Sequence, residues 1–290
     1  MLRHKSEIKS LVYMAVITGL LVAAWSLPFF NPYLFAAMMI MAVPVGVIAH
    51  NHNHVRFFDS KFLNVMTDYW ITIFYGFPAF AWIPTHNKNH HRYNNREEDH
   101  TRTWRYSEKN NLATLLSYPA ISSYFQQGAI LEYLKLMWDR RPQRFWFYVS
   151  QYVIITLYVG GALWLNWQKA LVYIIAPQQF ALFSILAINY LQHIHSDEES
   201  EWDHSRNFTG SWLNAFLFNN GYHTVHHESP GTHWSELPEK HEEIADKVDD
   251  RLNVDNFWWF MFRSYILGPF SDKFATDSLR RERMERADSS

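Results

Sequence analysis

The sequence predicts an all-α integral membrane protein: one domain over residues 1–290, about four transmembrane helices, and a helical polar cap made of 50–144 and 193–290. Three observations carry this expectation. Charge is missing from long stretches, lysine and arginine fall on one side of those stretches, and histidines group at their ends.

No Asp, Glu, Lys or Arg lies between Lys9 and Arg56, from Phe145 to Gln168, or from Ala170 to Ser196. A helix crosses a bilayer core with about 20 mostly apolar residues. The first gap fits two spans, about 10–27 and 33–49, turning at Pro28-Phe29-Phe30-Asn31-Pro32. The other two fit one each, about 145–167 and 171–192, turning at Asn166-Trp167-Gln168-Lys169. Long buried helices of a soluble protein are the alternative, and charge-free runs of this length speak against it. Arg3, Lys5 and Lys9 ahead of an apolar run have the look of a secretory signal. A second span follows too closely for cleavage to release a soluble domain, so the first is expected to stay as an anchor.

With both short turns facing out, all but Lys169 of the 26 lysines and arginines lie on the opposite side, which places both termini and both polar segments in the cytosol. The 13 Trp and 16 Tyr suit membrane interfaces or a core equally. Hydrophobic residues make up 48% of the chain, enough for a large core. A net charge of −2, without basic residues clustered among aromatics, speaks against a nucleic-acid partner. The absence of cysteine removes thiolate metal sites, iron–sulfur clusters and disulfides. The ten glycines form neither G-x-G-x-x-G nor a phosphate loop, so any electrons the chain needs come from a partner.

Taken in order, the second span ends in Ala49-His50-Asn51-His52-Asn53-His54. His50 and His54 are i, i+4 and share a helix face, whereas His52 points away from them, toward a supporting partner or water. Phe62–Pro84 is apolar apart from Asp68. A fifth span there would put the next histidines outside, so an interfacial or re-entrant helix pair is expected. His86 and His90 repeat the i, i+4 spacing, and His91 doubles the second histidine. Leu112–Leu136 is amphipathic and suited to the bilayer surface. The fourth span ends with Asn189 and His193 one turn apart, then His195.

His223, His226 and His227 follow at i, i+3, i+4. His223 and His227 share a face, while the neighbours His226 and His227 point roughly 100° apart, so each can grip a different ion. Glu239–Leu252 reads as an amphipathic helix with Ile244, Val248 and Leu252 on one stripe. Asn256–Phe270 reads as an aromatic segment packed on the cap or on lipid, and the charged tail from Thr276 as frayed or solvated.

A single histidine cluster suits a solvated loop; four at helix ends on one predicted face do not. Neutral imidazole is the commonest ligand for iron, copper and zinc. Face-sharing pairs, twice with an extra adjacent histidine, point to two metal ions. H-E-x-x-H is absent, which excludes that zinc protease signature. Glu97-x-x-His100 and Glu201-x-x-His204 match the short motif of carboxylate di-iron bundles. Both lie in poorly periodic segments and read as coincidence or as partners of ligands.

These boxes resemble those of the membrane fatty-acid desaturase family: His50–His54, His86–His90-His91 and His223–His226-His227. The family's acyl desaturases also carry Asn-x-x-x-His before the third box, matched by Asn189 and His193. The resemblance covers residues 40 to 240 or so. It implies a non-haem di-iron site with His50, His54, His86, His90, His91, His193, His223, His226 and His227 as ligands and Asn189 acting through a water. It implies four transmembrane helices beneath a cytosolic cap. It also implies O2 as cosubstrate, an external ferredoxin- or cytochrome-type electron donor, and oxidation of an unactivated C–H bond in a lipid, expected as desaturation of a fatty acyl chain.

Fatty-acyl or carotenoid hydroxylases and ketolases, and acyl decarboxylases that form terminal alkenes, are the alternatives within that superfamily. The extra His52 and His195, and Gly221-Tyr222 before the third box, depart from the pattern. Ligating imidazoles need a partner on their second nitrogen. Glu97, Glu98, Asp99, Asp197, Asp203 and Glu228 lie near the boxes in sequence, and Asp99, Glu228, His52 and His195 are the supporting residues expected at the site. Two other classes stand against this reading. A haem-binding electron carrier places paired histidines inside its spans, and a metal transporter places ionisable residues at membrane depth. The spans have neither.

Overall fold

The computed structural model describes residues 1–289. About 71% of the structure is helical, and the two strands among the described residues hold two residues each, so the fold is all-α. Two compact units divide it: residues 1–85 with 128–185, and residues 86–127 with 186 onward.

In the first unit, α1 (Glu7–Ser26) and α2 (Pro32–His54) pack as a hairpin. Asn31 caps α2 by accepting from the Tyr33 and Leu34 amides at 3.0 Å each, and Pro32 takes the first helical position, where a missing N–H leaves nothing unsatisfied. The helix α3 (Lys61–Tyr75) ends at Gly76, whose φ of +80° is the left-handed cap that favours glycine. A Cβ there would also stand 2.6 Å from Gln178 Cβ. At 15 residues α3 is about 22 Å long, too short to cross a bilayer core. It packs on α2 and on α6 (Pro142–Ala170). A 3₁₀ turn at Ala79–Ala81 and a π-helix at Ile83–His90 follow it.

Helix α6 continues through a π-helical turn, Leu171–Ile175, into α7 (Ala176–His193). The whole run is 52 residues of apolar helix, about 78 Å and more than twice a bilayer core. It is broken at Asn166, whose φ and ψ are −162° and 93°. The Asn166 side chain accepts from the Lys169 amide at 3.0 Å, in the segment expected to turn. Lys169 Nζ reaches the Trp25 and Leu27 carbonyls, and the Asn31 amide donates to Tyr173 Oη at 2.8 Å. The α1–α2 and α6–α7 turns therefore lie side by side at one end of this unit.

The three apolar stretches, Glu7–Ser26, Pro32–His54 and Pro142–His193, are long and apolar enough to cross a membrane. They bury only 22%, 44% and 39% of their most apolar windows, so their outward residues, Val12, Val16, Ile40, Leu157 and Leu165 among them, face out as lipid-contacting side chains do. These stretches mark the chain as membrane-associated.

The second unit is made of short pieces: α4 (His91–Tyr93), the first half of α5 (Leu112–Arg140), the end of α7, α8 (Ser211–Phe216), α9 (His223–Glu228), α10 (Leu237–Glu242), α11 (Phe257–Phe262) and α12 (Leu279–Asp288). Strand β1 (Asn207–Phe208) pairs in parallel with β2 (Asn253–Val254). Tyr118, Tyr190, Leu191, Ile194, Phe208, Phe260 and Tyr265 form its apolar core. Within this core Arg206 is fully buried, and Nη1 donates to the Leu191 and Ile194 carbonyls at 2.7 and 3.0 Å. Burial pulls its guanidinium pKa down to about 10, still charged at neutral pH.

Two expectations are corrected here. The helix expected over Glu239–Leu252 breaks after Glu242, because Asp249 spends its side chain on the Arg251 amide and its own amide on Asp203, starting a separate 3₁₀ turn at Asp250–Leu252. The tail expected to fray from Thr276 instead forms α12, with Leu279 buried against Val248 and Leu252.

Candidate metal centre

The second unit brings two sets of histidines together. In the first, one nitrogen each from His90, His193, His223 and His227 lies within 4.8 Å of the others. His193 Nε2 stands 2.9 Å from His223 Nε2, which stands 3.2 Å from His227 Nε2. Imidazoles sharing an ion at bonds of about 2.1 Å, at angles from octahedral to tetrahedral, hold their nitrogens about 3.0–3.4 Å apart. His90 Nε2 is buried with no hydrogen-bond partner, as a ligand nitrogen would be. In the second set, His86, His91 and His226 also offer nitrogens within 4.8 Å, and His86 Nε2 to His91 Nε2 is 3.1 Å. Both sets contain imidazole alone, a donor set suited to iron, copper or zinc rather than to calcium or magnesium.

Local backbone geometry sorts the doubled histidines. His86 and His90, expected to work as an i, i+4 pair, go to different sets, and His86 works with His91. The reason is that Ile83–His90 is π-helical, so the turn is wider and residue i+5 comes back over residue i. In α9, His223 and His227 go to one set and His226 to the other. That helix has no N-cap of its own. Asn207 of β1 supplies one by accepting from the Thr224 amide at 2.9 Å. Gly221 stands against β1: a Cβ there would sit 2.0 Å from the Phe208 carbonyl oxygen, so the residue before Tyr222 has to lack a side chain.

The second nitrogens of His90 and His193 are also held. Asp99 is fully buried and its Oδ2 accepts from His90 Nδ1 at 2.8 Å. It also accepts from the Asn95 amide at 2.8 Å and from the Thr101 amide and hydroxyl at 2.7 Å each. Burial alone would raise this carboxyl's pKa; the His90 imidazole and the Thr101 donors outweigh it and hold it well below the usual range. His193 Nδ1 donates to the His204 carbonyl at 3.2 Å, which commits its proton and leaves Nε2 as the lone-pair nitrogen.

The remaining expected residues lie as follows. Asn189 Nδ2 donates to Tyr118 Oη at 2.7 Å. His195, in the left-handed region at φ 64°, places Nε2 2.6 Å from the Glu108 carbonyl and Nδ1 2.8 Å from Thr276 Oγ1. Glu228 meets His204, with Oε1 3.2 Å from Nε2, although Glu201 stands at the motif spacing in sequence. Asp197 pairs with Arg283, and Asp203 with the Asp249 amide, so neither partners a ligand imidazole. The Glu201-x-x-His204 motif left His204 open as coincidence or as a partner of ligands, and the structure places it as a partner of His193. Its role comes from its carbonyl, and a backbone oxygen has no sequence signature.

In the first unit, His50 and His54 end α2 with ring centroids 4.7 Å apart, and Trp82 lies edge-on to His50 at 5.6 Å. His52 is fully buried on the other side of that helix, Nε2 3.6 Å from Asp68 Oδ1 and Nδ1 accepting from the Phe57 amide at 3.4 Å. Asp68 in turn pairs with Arg56 at 2.5 Å.

Among known families, the profile described as Fatty acid desaturase matches residues 23–265. Neither a curated protein nor a solved structure matches the chain.

Proposed function

Because the chain belongs to the fatty acid desaturase family, and so is an oxidoreductase of the kind that oxidises lipid C–H bonds, we propose that it desaturates a fatty acyl chain at a non-haem di-iron centre with O2 as cosubstrate. The observation that carries the reading is the convergence of His90, His193, His223 and His227 at ligand spacing around a nitrogen with no other partner. The proposed ligands of the two irons are His50, His54, His86, His90, His91, His193, His223, His226 and His227, with Asn189 acting through a water. Bound there, reduced iron supplies dioxygen activation and the oxidation of an unactivated C–H bond. The protein's residues orient the imidazoles, through Asp99 on His90 and the His204 carbonyl on His193. Burial of His90, His193 and His223 keeps water from the reacting centre. His52 and His195 are proposed as supports of their helix ends, and Glu228 as the support of His204.

The electrons come from an external ferredoxin- or cytochrome-type donor, in keeping with a chain that has no cysteine or nucleotide motif. The family match runs through both compact units, which supports their working as one domain. The proposed topology is multi-pass with four spans, the break at Asn166 dividing the last apolar run, and with termini and centre cytosolic. Cysteines introduced at positions 31 and 168 should label from outside intact cells, and cysteines at 100 and 240 should not. Feeding deuterated fatty acids to an expressing host tests the reaction. Loss of two deuteria with a new double bond is expected, whereas oxygen incorporation or a shortened terminal alkene would refute desaturation.

A further inference from the structure

The family match ends at residue 265, and α12 lies beyond it. A ten-residue helix is marginal by itself, and Leu279 is the one buried residue of α12. What holds it is charge. Arg280 Nε pairs with Glu198 Oε1 at 2.8 Å and its Nη1 with Glu108. Arg283 Nε pairs with Asp197 Oδ1 at 2.7 Å and its Nη2 with Glu198 at 3.1 Å. The Asp197 and Glu198 side chains are only 11% and 5% exposed, where an ion pair is stronger than at an open surface.

The segment these pairs hold runs out of the His193 helix end and returns to it. The Leu279 amide donates to the His195 carbonyl at 3.1 Å, and Thr276 Oγ1 meets His195 Nδ1 at 2.8 Å, two residues past His193. Further on, the Asp197 amide donates to the Asp203 carbonyl at 2.9 Å and the Arg206 amide to the Gln192 carbonyl at 2.6 Å, closing the loop. The same loop carries the His204 carbonyl that accepts the His193 Nδ1 proton. The path of the loop therefore decides which His193 nitrogen faces the metal.

We propose that α12 is an ionic strap in which Arg280 and Arg283 act as positioning residues, holding the 194–206 loop and through it the His193 imidazole at the centre; the proposal rests on the di-iron reading above. The residues act through the loop and touch neither metal nor substrate. Removing the pairs leaves Asp197 and Glu198 without counter-charges and frees the loop to move, so the ion held by His193 is the one affected. The ion held by His86, His91 and His226 is not.

The test uses the full-length protein in detergent micelles, comparing the wild type with the double variant Arg280→Glu/Arg283→Glu. Two readouts are taken: amide hydrogen exchange over 194–206, and the rate at which a chelator removes iron. The variant should exchange faster in that loop, with other segments unchanged, and should lose one of two irons about tenfold faster. Adding Asp197→Arg and Glu198→Arg should restore both readouts, which a merely structural defect would not allow. The neutral variant Arg280→Gln/Arg283→Gln, which removes the pairs without adding charge, should shift both readouts in the same direction by a smaller factor. Unchanged exchange and iron loss in the variant overturn the strap. If the charge-reversed variant does not fold, unchanged loop exchange and iron release in Arg280→Gln/Arg283→Gln overturn it instead. A wild-type chain without iron overturns the metal reading and the strap's part in it, a result distinct from either.

Discussion

The two compact units are held together in opposite ways. The first relies on long apolar helices, whose order comes from length and from van der Waals packing around Ala24, Met38, Ala162, Ala170 and Tyr173. The second has helices as short as three and six residues, and its order comes from single polar side chains that each satisfy several backbone groups. Arg206 serves two carbonyls, Asp99 two amides, a hydroxyl and an imidazole, and Asn214 the Phe208 carbonyl and the Gly221 amide. Six residues make a helix that cannot stand alone, so tertiary hydrogen bonds have to supply what propagation does not. The consequence is asymmetric sensitivity. Apolar substitutions in the first unit change contacts one at a time, whereas one polar loss in the second frees several backbone groups at once.

The largest expected effect lies in that second unit. Arg206→Met should destabilise the protein by about 3–5 kcal/mol, because two buried carbonyls lose their donor together. Thermal unfolding in detergent checks it, and a loss under about 1 kcal/mol would break the comparison. Asp99→Ala comes next. It removes the partner of His90 Nδ1 and should weaken metal retention about 10–100-fold while leaving the apolar helices unchanged, as read by chelator competition and circular dichroism. The smallest effect is expected for Leu157→Ala, an outward residue of α6 that is 69% exposed. Its stability should move by no more than about 0.5 kcal/mol, and a larger change would mean that this face is packed against protein.

The same contrast explains what was readable in the sequence. Charge-free runs gave the ends of the apolar helices to within a few residues, because desolvation of charge dominates there and needs no partner to be recognised. The turn at Asn166–Lys169 is visible for the same reason, because Lys169 is the one charge between Phe145 and Ser196. The histidine groups were visible because spacing on a helix converts directly into a shared face. What spacing did not reveal was the π-turn at Ile83–His90, which moves His86 from His90 to His91. No local propensity marks such a turn. The break after Glu242 and the docking of α12 were hidden too. Both depend on charges far away in sequence, Asp203 for the first and Asp197 with Glu198 for the second. The short motif at His204 does not reveal what that residue contributes, because the contribution is a carbonyl oxygen, which every residue has.

The central claim is that histidines drawn from the three boxes and from His193 hold two irons. Elemental analysis of the purified wild-type chain, paired with Mössbauer spectroscopy on iron-57-labelled protein, addresses it most directly. Two irons per chain in high-spin, non-haem environments are expected, with His54→Ala, His91→Ala and His226→Ala each lowering the count and His4→Ala leaving it unchanged. Stoichiometric zinc, a haem spectrum, or a single iron at full activity would contradict the account.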